Sequence, residues 1–369
     1  MLISPSIINA LPKHIIPIIV GFFTLFSTTA QAEPWMAIQS GGKCIVCHVN
    51  PTGGGKRNEF GHIYGLNTLT AKAITDFKNV ARLNDFITIG GDLRVNAVST
   101  QIPNQSDTFT FESEELLVYM QVDLIPGKLT FYFDEKLGPG GALNRELYGL
   151  YWLNDNTVYV KAGRMFLPFG FRIEDDSAFI RQVSGINYNT PDDGVEIGLE
   201  TANFSTNLAI TNGTAGGNET NRGKQFSFRS SYVNPGWRVG LSYNFNDVKD
   251  DDRTMSGIFA GLRTGMINWL AEIDYIVDDG ADCAQLKQRL PLIEANALLT
   301  KGHNLKLTYE YFDPSRDIAE DERTRTSIVW EWFPIQYTQL SMGVRDSSGI
   351  PQNDLQNTTE WFVQLHNYF

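Results

Sequence analysis

The chain has 369 residues, a formal net charge of −12, and many glycine, phenylalanine and tyrosine residues. An acidic chain of this kind is not expected to bind nucleic acid, which selects basic surfaces. Its three cysteines, Cys44, Cys47 and Cys283, allow at most one disulfide bond. The sequence therefore also excludes a small fold held together by a disulfide framework.

Residues 1–32 have the organisation of a secretory signal peptide. Lys13 precedes an apolar run from Ile15 to Phe26, and Ala30-Gln31-Ala32 has the small-residue pattern of a cleavage site. The alternative is an N-terminal membrane anchor, but the run is short and wrongly flanked for a stable transmembrane helix. We predict cleavage after Ala32, which makes the mature chain one charge more negative because Lys13 is lost.

The segment 33–85 contains Cys44-Ile-Val-Cys47-His48, the attachment pattern of c-type haem. Each thiol can add to one vinyl group of the macrocycle, and the adjacent imidazole can then take an axial position on the iron. The pattern predicts one covalent haem c bound by Cys44, Cys47 and His48. A zinc site and a plain disulfide are the alternatives, but zinc needs a fuller ligand set than the isolated Cys283 and scattered histidines provide.

The sixth ligand of the iron is left open by the sequence. His62 is the nearest histidine after the motif and is the candidate that we favour, whereas Met36 offers a thioether just before it. His303 and His366 are candidates from the later part of the chain. A five-coordinate iron that binds small molecules is a further alternative.

The remainder of this segment supplies a glycine cluster and a helical pattern. Gly53-Gly54-Gly55 allows the backbone to pass close to a flat ligand, or forms a flexible turn. The spacing of apolar residues predicts an amphipathic helix over 68–83. This helix would cover the haem or plug the mouth of the β-barrel that the sequence from residue 86 predicts. A segment of this length buries little apolar surface, so we expect the following domain to complete the enclosure of the haem.

From residue 86 to residue 369 apolar and polar residues alternate. Over 237–245, for example, Trp, Val, Leu, Tyr and Phe occupy one face, and Arg, Gly, Ser and Asn occupy the other. Apolar-out, polar-in alternation over about ten residues is typical of transmembrane barrel strands. The predicted strands lie near 87–98, 109–123, 128–136, 144–153, 157–163, 193–201, 204–212, 224–233, 236–246, 254–263, 266–277, 287–299, 304–312, 323–333, 337–346 and 358–369.

Connections of two kinds alternate between these strands. Tight turns such as Pro126-Gly127 and Asn154-Asp155-Asn156 are followed by longer polar loops such as 213–223. Short turns opposite long loops are the layout of bacterial outer-membrane barrels. We therefore predict an all-β fold, a transmembrane antiparallel up-and-down barrel of about sixteen strands that contacts outer-membrane lipid, preceded by the small haem segment.

The longest connection, 164–192, lies on the outer-loop side and contains both acidic and basic residues. In porins a long loop often folds into the lumen and narrows it, and opposed charges there filter solutes. The candidates for such a constriction are Arg172, Glu174, Asp175, Asp176 and Arg181. The alternative is a surface loop whose charges are solvated.

Residues 44–61 carry a family resemblance. The haem motif is followed by Asn50-Pro51, the glycine cluster and Arg57-Asn58, and then by the barrel pattern. This arrangement resembles the fused monohaem cytochrome–porins of the bacterial outer membrane, a group that includes iron-oxidising outer-membrane cytochromes.

The resemblance implies electron transfer across or at the outer membrane, with a periplasmic electron carrier as partner and an extracellular metal or other redox substrate. The haem segment would then lie on the periplasmic side or in the lumen. A diffusion porin with a docking or gating haem segment is an alternative, as is a barrel sheath around a multihaem cytochrome. No acid–base or nucleophile arrangement is evident, so we expect an electron-transfer protein rather than an enzyme, with metal oxidation as the exception.

Overall fold

The computed structural model describes residues 33–74, 81–247, 251–280 and 285–369. The predicted signal peptide and Cys283 lie outside these ranges. No helix in the described ranges is long and apolar enough to cross a membrane.

Sixteen antiparallel strands form a closed barrel. Each strand pairs with its neighbours in sequence, and β1 closes the ring on β16, with Asp92 opposite Tyr368 and Gln101 opposite Thr359. Closure leaves no sheet edge with unpaired backbone groups. The strands are β1 Ile87–Gln101, β2 Thr108–Ile125, β3 Leu129–Gly138, β4 Leu143–Leu153, β5 Val158–Met165, β6 Asp192–Glu200, β7 Phe204–Thr211, β8 Gln225–Asn234, β9 Trp237–Asn246, β10 Asp251–Thr264, β11 Ile267–Gly280, β12 Leu286–Thr300, β13 His303–Phe312, β14 Arg323–Trp332, β15 Thr338–Ser348 and β16 Thr359–Tyr368.

The predicted fold class is confirmed, and every strand lies within a few residues of its predicted position. The alternation has the expected direction. In β9, Trp237 and Leu241 are exposed on the outer surface, whereas Arg238 and Ser242 are buried in the interior. An apolar outer surface around a polar interior follows from a side-chain period of two in a sheet that separates two different environments.

The two ends of the barrel differ. One end, which we call the turn end, carries the short connections, such as 126–128, 201–203 and 235–236. At the turn between β4 and β5, Asn154, Asp155 and Asn156 all have positive φ angles, which Asn and Asp tolerate better than other non-glycine residues. The other end, which we call the loop end, carries the longer connections, including 166–191, 212–224 and 313–322.

Residues 33–74, which we call the plug, lie inside the lumen at the turn end. The plug contains α1 Pro34–Ser40, α2 Cys44–Cys47, α3 Glu59–Ile63 and a π-helical continuation, Tyr64–Leu69. Lys43 forms an ion pair with Glu200 at 2.7 Å, beside the β6–β7 turn. The amide of Asn268 donates a hydrogen bond to Gln39 at 2.9 Å, near the β10–β11 turn.

The helix predicted over 68–83 is wrong for the residues that the structure describes there, and residues 75–80 of the prediction lie outside them. The helical segment ends at Leu69, and residues 70–74 and 81–83 have no helical turns. The amide nitrogen of Ala71 instead donates to the main-chain oxygen of Phe333 at 2.8 Å, and that of Lys72 to Pro334 at 3.3 Å. These hydrogen bonds to the β14–β15 turn occupy amide groups that would otherwise bond within a longer helix. The tertiary contact therefore overrides the helical tendency that the spacing of apolar residues indicates.

Residues 166–191, which we call the inserted loop, fold into the lumen instead of lying on the surface. The loop contains one helical turn, α4 Phe179–Gln182. The amide nitrogen of Phe171 donates to Glu272 on the wall at 2.7 Å, and that of Phe179 donates to Glu310 at 2.7 Å. Apolar side chains of the inserted loop and the plug form one buried cluster that includes Trp35, Met36, Phe171 and Phe179.

Candidate cofactor site at the CxxCH motif

The motif forms a single helical turn. The amide nitrogen of His48 donates to the main-chain oxygen of Cys44 at 3.0 Å, which places both thiols and the imidazole around one turn of backbone. Both thiols are free, Cys44 half-buried and Cys47 buried. A turn of this kind presents both sulfur atoms and the ring of the following histidine to a ligand held against it.

Asn58 holds this turn against α3. Its side-chain amide donates to the main-chain oxygens of Ile45 and His48 at 2.9 and 3.3 Å, while its carbonyl oxygen accepts from the amide of Gly61 at 3.0 Å. Gly61 is required by close packing, because a Cβ atom there would lie 2.2 Å from the main-chain oxygen of Cys47. Asn58 therefore caps α3 and fixes the motif at the same time.

The glycine cluster forms a tight turn between the motif and the barrel wall. Gly53, Gly54 and Gly55 all have positive φ angles, a conformation that other residues rarely adopt. The amide nitrogen of Lys56, just after them, donates to the hydroxyl of Tyr132 at 2.7 Å. The hydrogen bond to the wall and the positive φ angles indicate that this turn has one defined conformation.

A cavity that is partly open to solvent adjoins the motif. Cys44, Cys47 and His48 line one side, and Leu69 and Phe171 contribute apolar surface from the plug and the inserted loop. Gly53 and Gly54 also line it, so the turn with positive φ angles approaches the space directly. The lining contains Glu33, Pro34, Met36, Ala37, Lys43, Cys44, Cys47, His48, Thr52, Gly53, Gly54, Arg57, Gly61, Tyr64, Gly65, Leu69, Phe171, Arg172, Arg229 and Arg238.

The candidates for the sixth ligand lie in different places. Met36 lines the same cavity as His48. His62 instead lines a neighbouring cavity together with Lys56 and Tyr119. The sequence favoured His62 because it follows the motif closely, but only packing determines which face of α3 adjoins the cavity.

The two later histidines are engaged elsewhere. The ring of His303 stacks on those of Trp330 and Trp332, with ring centroids 5.6 and 6.0 Å apart. His366 is fully buried, with Nε2 2.7 Å from a carboxylate oxygen of Asp92. Neither residue lines the cavity at the motif.

Burial changes the pKa values of His48 and Cys47 in the motif. Burial, assisted by the positive charge of Arg57, lowers the pKa of His48 from 6.5 to about 4. Burial also raises the pKa of the Cys47 thiol from 9.0 to about 11. At neutral pH the imidazole is therefore neutral, which is the form that binds iron. No group of three or more His, Cys, Asp or Glu side chains in the described ranges is arranged to hold a metal ion, as a zinc site requires.

Four of the charged residues in the inserted loop, Glu174, Asp175, Asp176 and Arg181, form ion pairs, and the three carboxylates also line a cavity in the lumen. Glu174 contacts Arg94 at 2.7 Å, and Asp176 contacts Arg181 within the loop. Asp175 contacts Arg325 at 2.9 Å, and although burial opposes ionisation, the charge of Arg325 lowers the pKa of Asp175 below its ordinary value. These pairs dock the loop against the wall.

Arg172 has a different position from the other constriction candidates. Its guanidinium donates to the main-chain oxygen and the hydroxyl of Thr52, both at 3.2 Å, and to the main-chain oxygen of Gly53. It therefore joins the inserted loop to the glycine turn of the plug. Arg229 on β8 and Arg238 on β9 face inward and also line the cavity at the motif, which no local sequence pattern predicts.

No protein-family model matched the sequence, and a search of curated proteins found no match. The anion-selective porin of Comamonas acidovorans has a similar structure, with a TM-score of 0.61 at 12% identity, covering 77% of this chain and 99% of that chain. OmpT, an outer-membrane protein of Vibrio cholerae, has a TM-score of 0.58 at 11% identity and covers 78% of this chain and 100% of that one. OprB of Pseudomonas putida has a TM-score of 0.60 at 8% identity and covers 77% of this chain and 94% of that one. At these identities the likeness establishes the fold, a sixteen-strand barrel of the porin type.

Proposed function

We propose that this chain is an electron-transfer protein of the bacterial outer membrane, a porin-type barrel that carries one covalent haem c in its lumen. The observation that carries the proposal is the cavity at the turn end of the barrel. Both motif thiols, the neutral imidazole of His48 and the thioether of Met36 line this one space. A covalently bound haem would supply one-electron transfer there.

The residues of the cavity fit a haem. The side chains of Leu69 and Phe171 offer apolar surface beside the two thiols and the imidazole, as a flat macrocycle requires. Apolar surface around a bound haem would limit the access of water to the iron, which is one way in which a protein sets a redox potential. His48 would be one axial ligand. Met36 is the better candidate for the other, because it lines the cavity and His62 does not.

The outer-membrane location rests on the surface of the barrel and on its neighbours. Apolar side chains such as Leu147, Ile197, Leu241 and Ile258 are exposed on the outer face. A wide apolar outer surface on a closed barrel suits lipid better than water. Similar structures include outer-membrane porins. By analogy with that layout, the turn end would face the periplasm and the loop end would face the exterior.

The electron-transfer partners would approach from opposite ends. A periplasmic electron carrier would reach the cavity at the turn end, where the plug lies. The apolar band of such barrels is about 25 Å tall, so an outer redox substrate, a metal ion or another small molecule, would have to enter the lumen. A larger cavity, lined by charged side chains such as Glu174, Glu310 and Arg325, adjoins the site through Glu33.

A diffusion porin is the second candidate, and the porin-type neighbours favour it. The filled lumen argues against it, because the plug occupies the turn end and the inserted loop crosses the interior. The same filling argues against a sheath, since a separate multihaem cytochrome would have to displace both segments.

The test is a haem stain and visible spectrum of the membrane fraction that contains the barrel. We expect covalent haem in the unmodified protein and in Cys283→Ala, which serves as a matched control. We expect none in Cys44→Ala and a changed spectrum in His48→Ala. An unstained band for the unmodified protein would refute the proposal.

Proteoliposomes separate the conduit from the porin. We expect the haem to be reduced by a membrane-impermeant reagent added outside the vesicles, and to pass electrons to an oxidant trapped inside. Ion conductance that is large and independent of the haem, without such electron transfer, would favour the diffusion porin.

A further inference from the structure

Four arginines line the cavity at the motif, and none has a carboxylate partner among the described residues. They are Arg57, Arg172, Arg229 and Arg238. Buried arginines elsewhere in the lumen are all paired: Arg94 contacts Glu174, Arg145 contacts Glu115, Arg181 contacts Asp176 and Arg325 contacts Glu310. Within the described residues, this cavity therefore gathers several arginines that form no ion pair with a carboxylate.

Three of these arginines come from the inserted loop and the wall, and they bond to main-chain oxygens. Arg229 donates to Gly170 at 2.9 Å, Arg238 donates to Gly42, and Arg172 donates to the glycine turn of the plug. Arg229 and Arg238 are only 5% and 4% exposed. The Nε atom of Arg238 is buried with no hydrogen-bond partner. Main-chain oxygens solvate a guanidinium but do not neutralise its charge.

This arrangement is costly without an anion. A buried charge that is neither paired nor neutralised destabilises a fold, and in native structures such charges are ordinarily compensated. Burial lowers the pKa of Arg172, and the nearby positive charge of Arg229 lowers it further. Arg229 also lies close enough to Arg238 to repel it. The site accordingly calls for a ligand with negative charge.

We propose that Arg172, Arg229 and Arg238 bind the propionate groups of the haem attached to Cys44 and Cys47. The inference rests on the proposed function. The planar fork of a guanidinium matches a carboxylate, and the bond is strengthened when both groups are ionised. These arginines all lie within electrostatic range of one another or of Cys44. Arg57, which packs over the ring of Tyr368 at 5.0 Å, is a separate charge beside Cys47.

The role has a redox consequence. Positive charge beside the propionates disfavours the ferric form, which carries one more positive charge than the ferrous form. Replacement of Arg229 or Arg238 by glutamine is therefore expected to lower the midpoint potential of the haem. It is also expected to shift the propionate-bending band in the resonance Raman spectrum, because a hydrogen-bonded carboxylate loses its donor.

The experiment measures both quantities in the full-length haem-loaded protein. Arg229→Gln and Arg238→Gln are compared with Arg263→Gln, which removes an exposed arginine at the same turn end. A lower potential and a shifted band in the first pair, with neither change in the control, support the inference. Potentials and bands equal to those of the unmodified protein in both variants overturn it.

Lysine variants cover the case in which a glutamine variant does not fold or does not take up haem. Arg229→Lys and Arg238→Lys retain the charge but lose the fork, so the band is expected to shift while the potential changes little. An unshifted band in both would overturn the inference. Failure of the proposed function has a different signature, since the unmodified protein would then carry no covalent haem.

Discussion

Met36 and His48 line the same cavity, one from α1 and the other from the end of α2. They approach it from separate parts of the plug, which α1 anchors through Trp35, fully buried among side chains of the wall and the inserted loop. A cavity with an imidazole and a thioether in its lining offers both axial ligands of a low-spin haem.

The first prediction concerns the sixth ligand. Met36→Ala is expected to abolish the weak far-red absorption band that marks methionine bound to ferric haem, and to lower the midpoint potential, because a methionine ligand raises it. His62→Ala is the matched control and is expected to keep the band. Loss of the band in His62→Ala, or its absence from the unmodified protein, would show that the thioether of Met36 is not the ligand.

The sequence alone predicts the part of the proposed haem site that Cys44, Cys47 and His48 form, because their spacing is a local pattern. It does not predict which other residues line the cavity. Whether Met36 or His62 faces the cavity depends on how α3 packs on α2, and that in turn depends on Gly61, which adjoins the main-chain oxygen of Cys47. A contact of this kind produces no repeating pattern in the sequence, so it cannot be predicted from the sequence alone.

In the barrel, too, features set by local sequence were predicted, whereas features set by tertiary contacts were not. Strands such as β9 were predicted closely because a side-chain period of two is a local property that burial on one face enforces. The course of residues 70–74 was mispredicted because pairing with the β14–β15 turn, more than 250 residues away in the chain (Ile74 with Gln336, separation 262), replaces the expected helix. Only closure of the barrel brings Arg229 on β8 and Arg238 on β9 to the motif.

The second prediction concerns Gly61. Gly61→Ala is expected to destabilise the docked plug by about 1–3 kcal/mol, because the added methyl group meets backbone that cannot move without disturbing α2. The measurement is the rate of protease cleavage within residues 33–74 and the yield of covalent haem. Gly149→Ala is the control, since its Cβ would make only an ordinary contact, 3.5 Å from the ring of Phe131. Equal protection of the plug in the two variants would contradict the packing argument.

The third prediction is a pH dependence due to Lys56. Burial lowers the pKa of Lys56 from 10.5 to about 8, although Asp123 opposes the change. Below pH 8 both the folded and the unfolded chain hold the proton, so the full cost of the buried charge, on the order of 3 kcal/mol, is present. The cost declines between pH 8 and 10.5, because only the unfolded chain then keeps its proton, and above that range it is absent.

Lys56→Met is therefore expected to raise the stability of the docked plug at pH 7 and to lose this advantage at pH 10.5. Denaturant midpoints for release of the plug, followed by protease protection, measure the difference. Lys72→Met changes an exposed lysine of the same plug and is expected to have no effect at either pH. A stabilisation by Lys56→Met that is the same at both pH values would show that it comes from apolar contact and not from charge.

The fourth prediction concerns conductance. The plug is held inside the lumen by contacts such as Asn50 to Glu146 at 2.7 Å and Lys43 to Glu200, so the intact protein is expected to pass little current in a planar bilayer. Deletion of residues 34–70 is expected to increase the conductance, because it removes protein that fills the lumen and leaves the sixteen strands paired.

Deletion of residues 214–222, within the connection between β7 and β8 at the loop end, is the matched control and is expected to leave the current unchanged. Heat-modifiable migration in a gel checks that each variant is a folded barrel. Equal currents through the intact protein and the 34–70 deletion would show that ions pass the plug, and the diffusion-porin function would then be preferred.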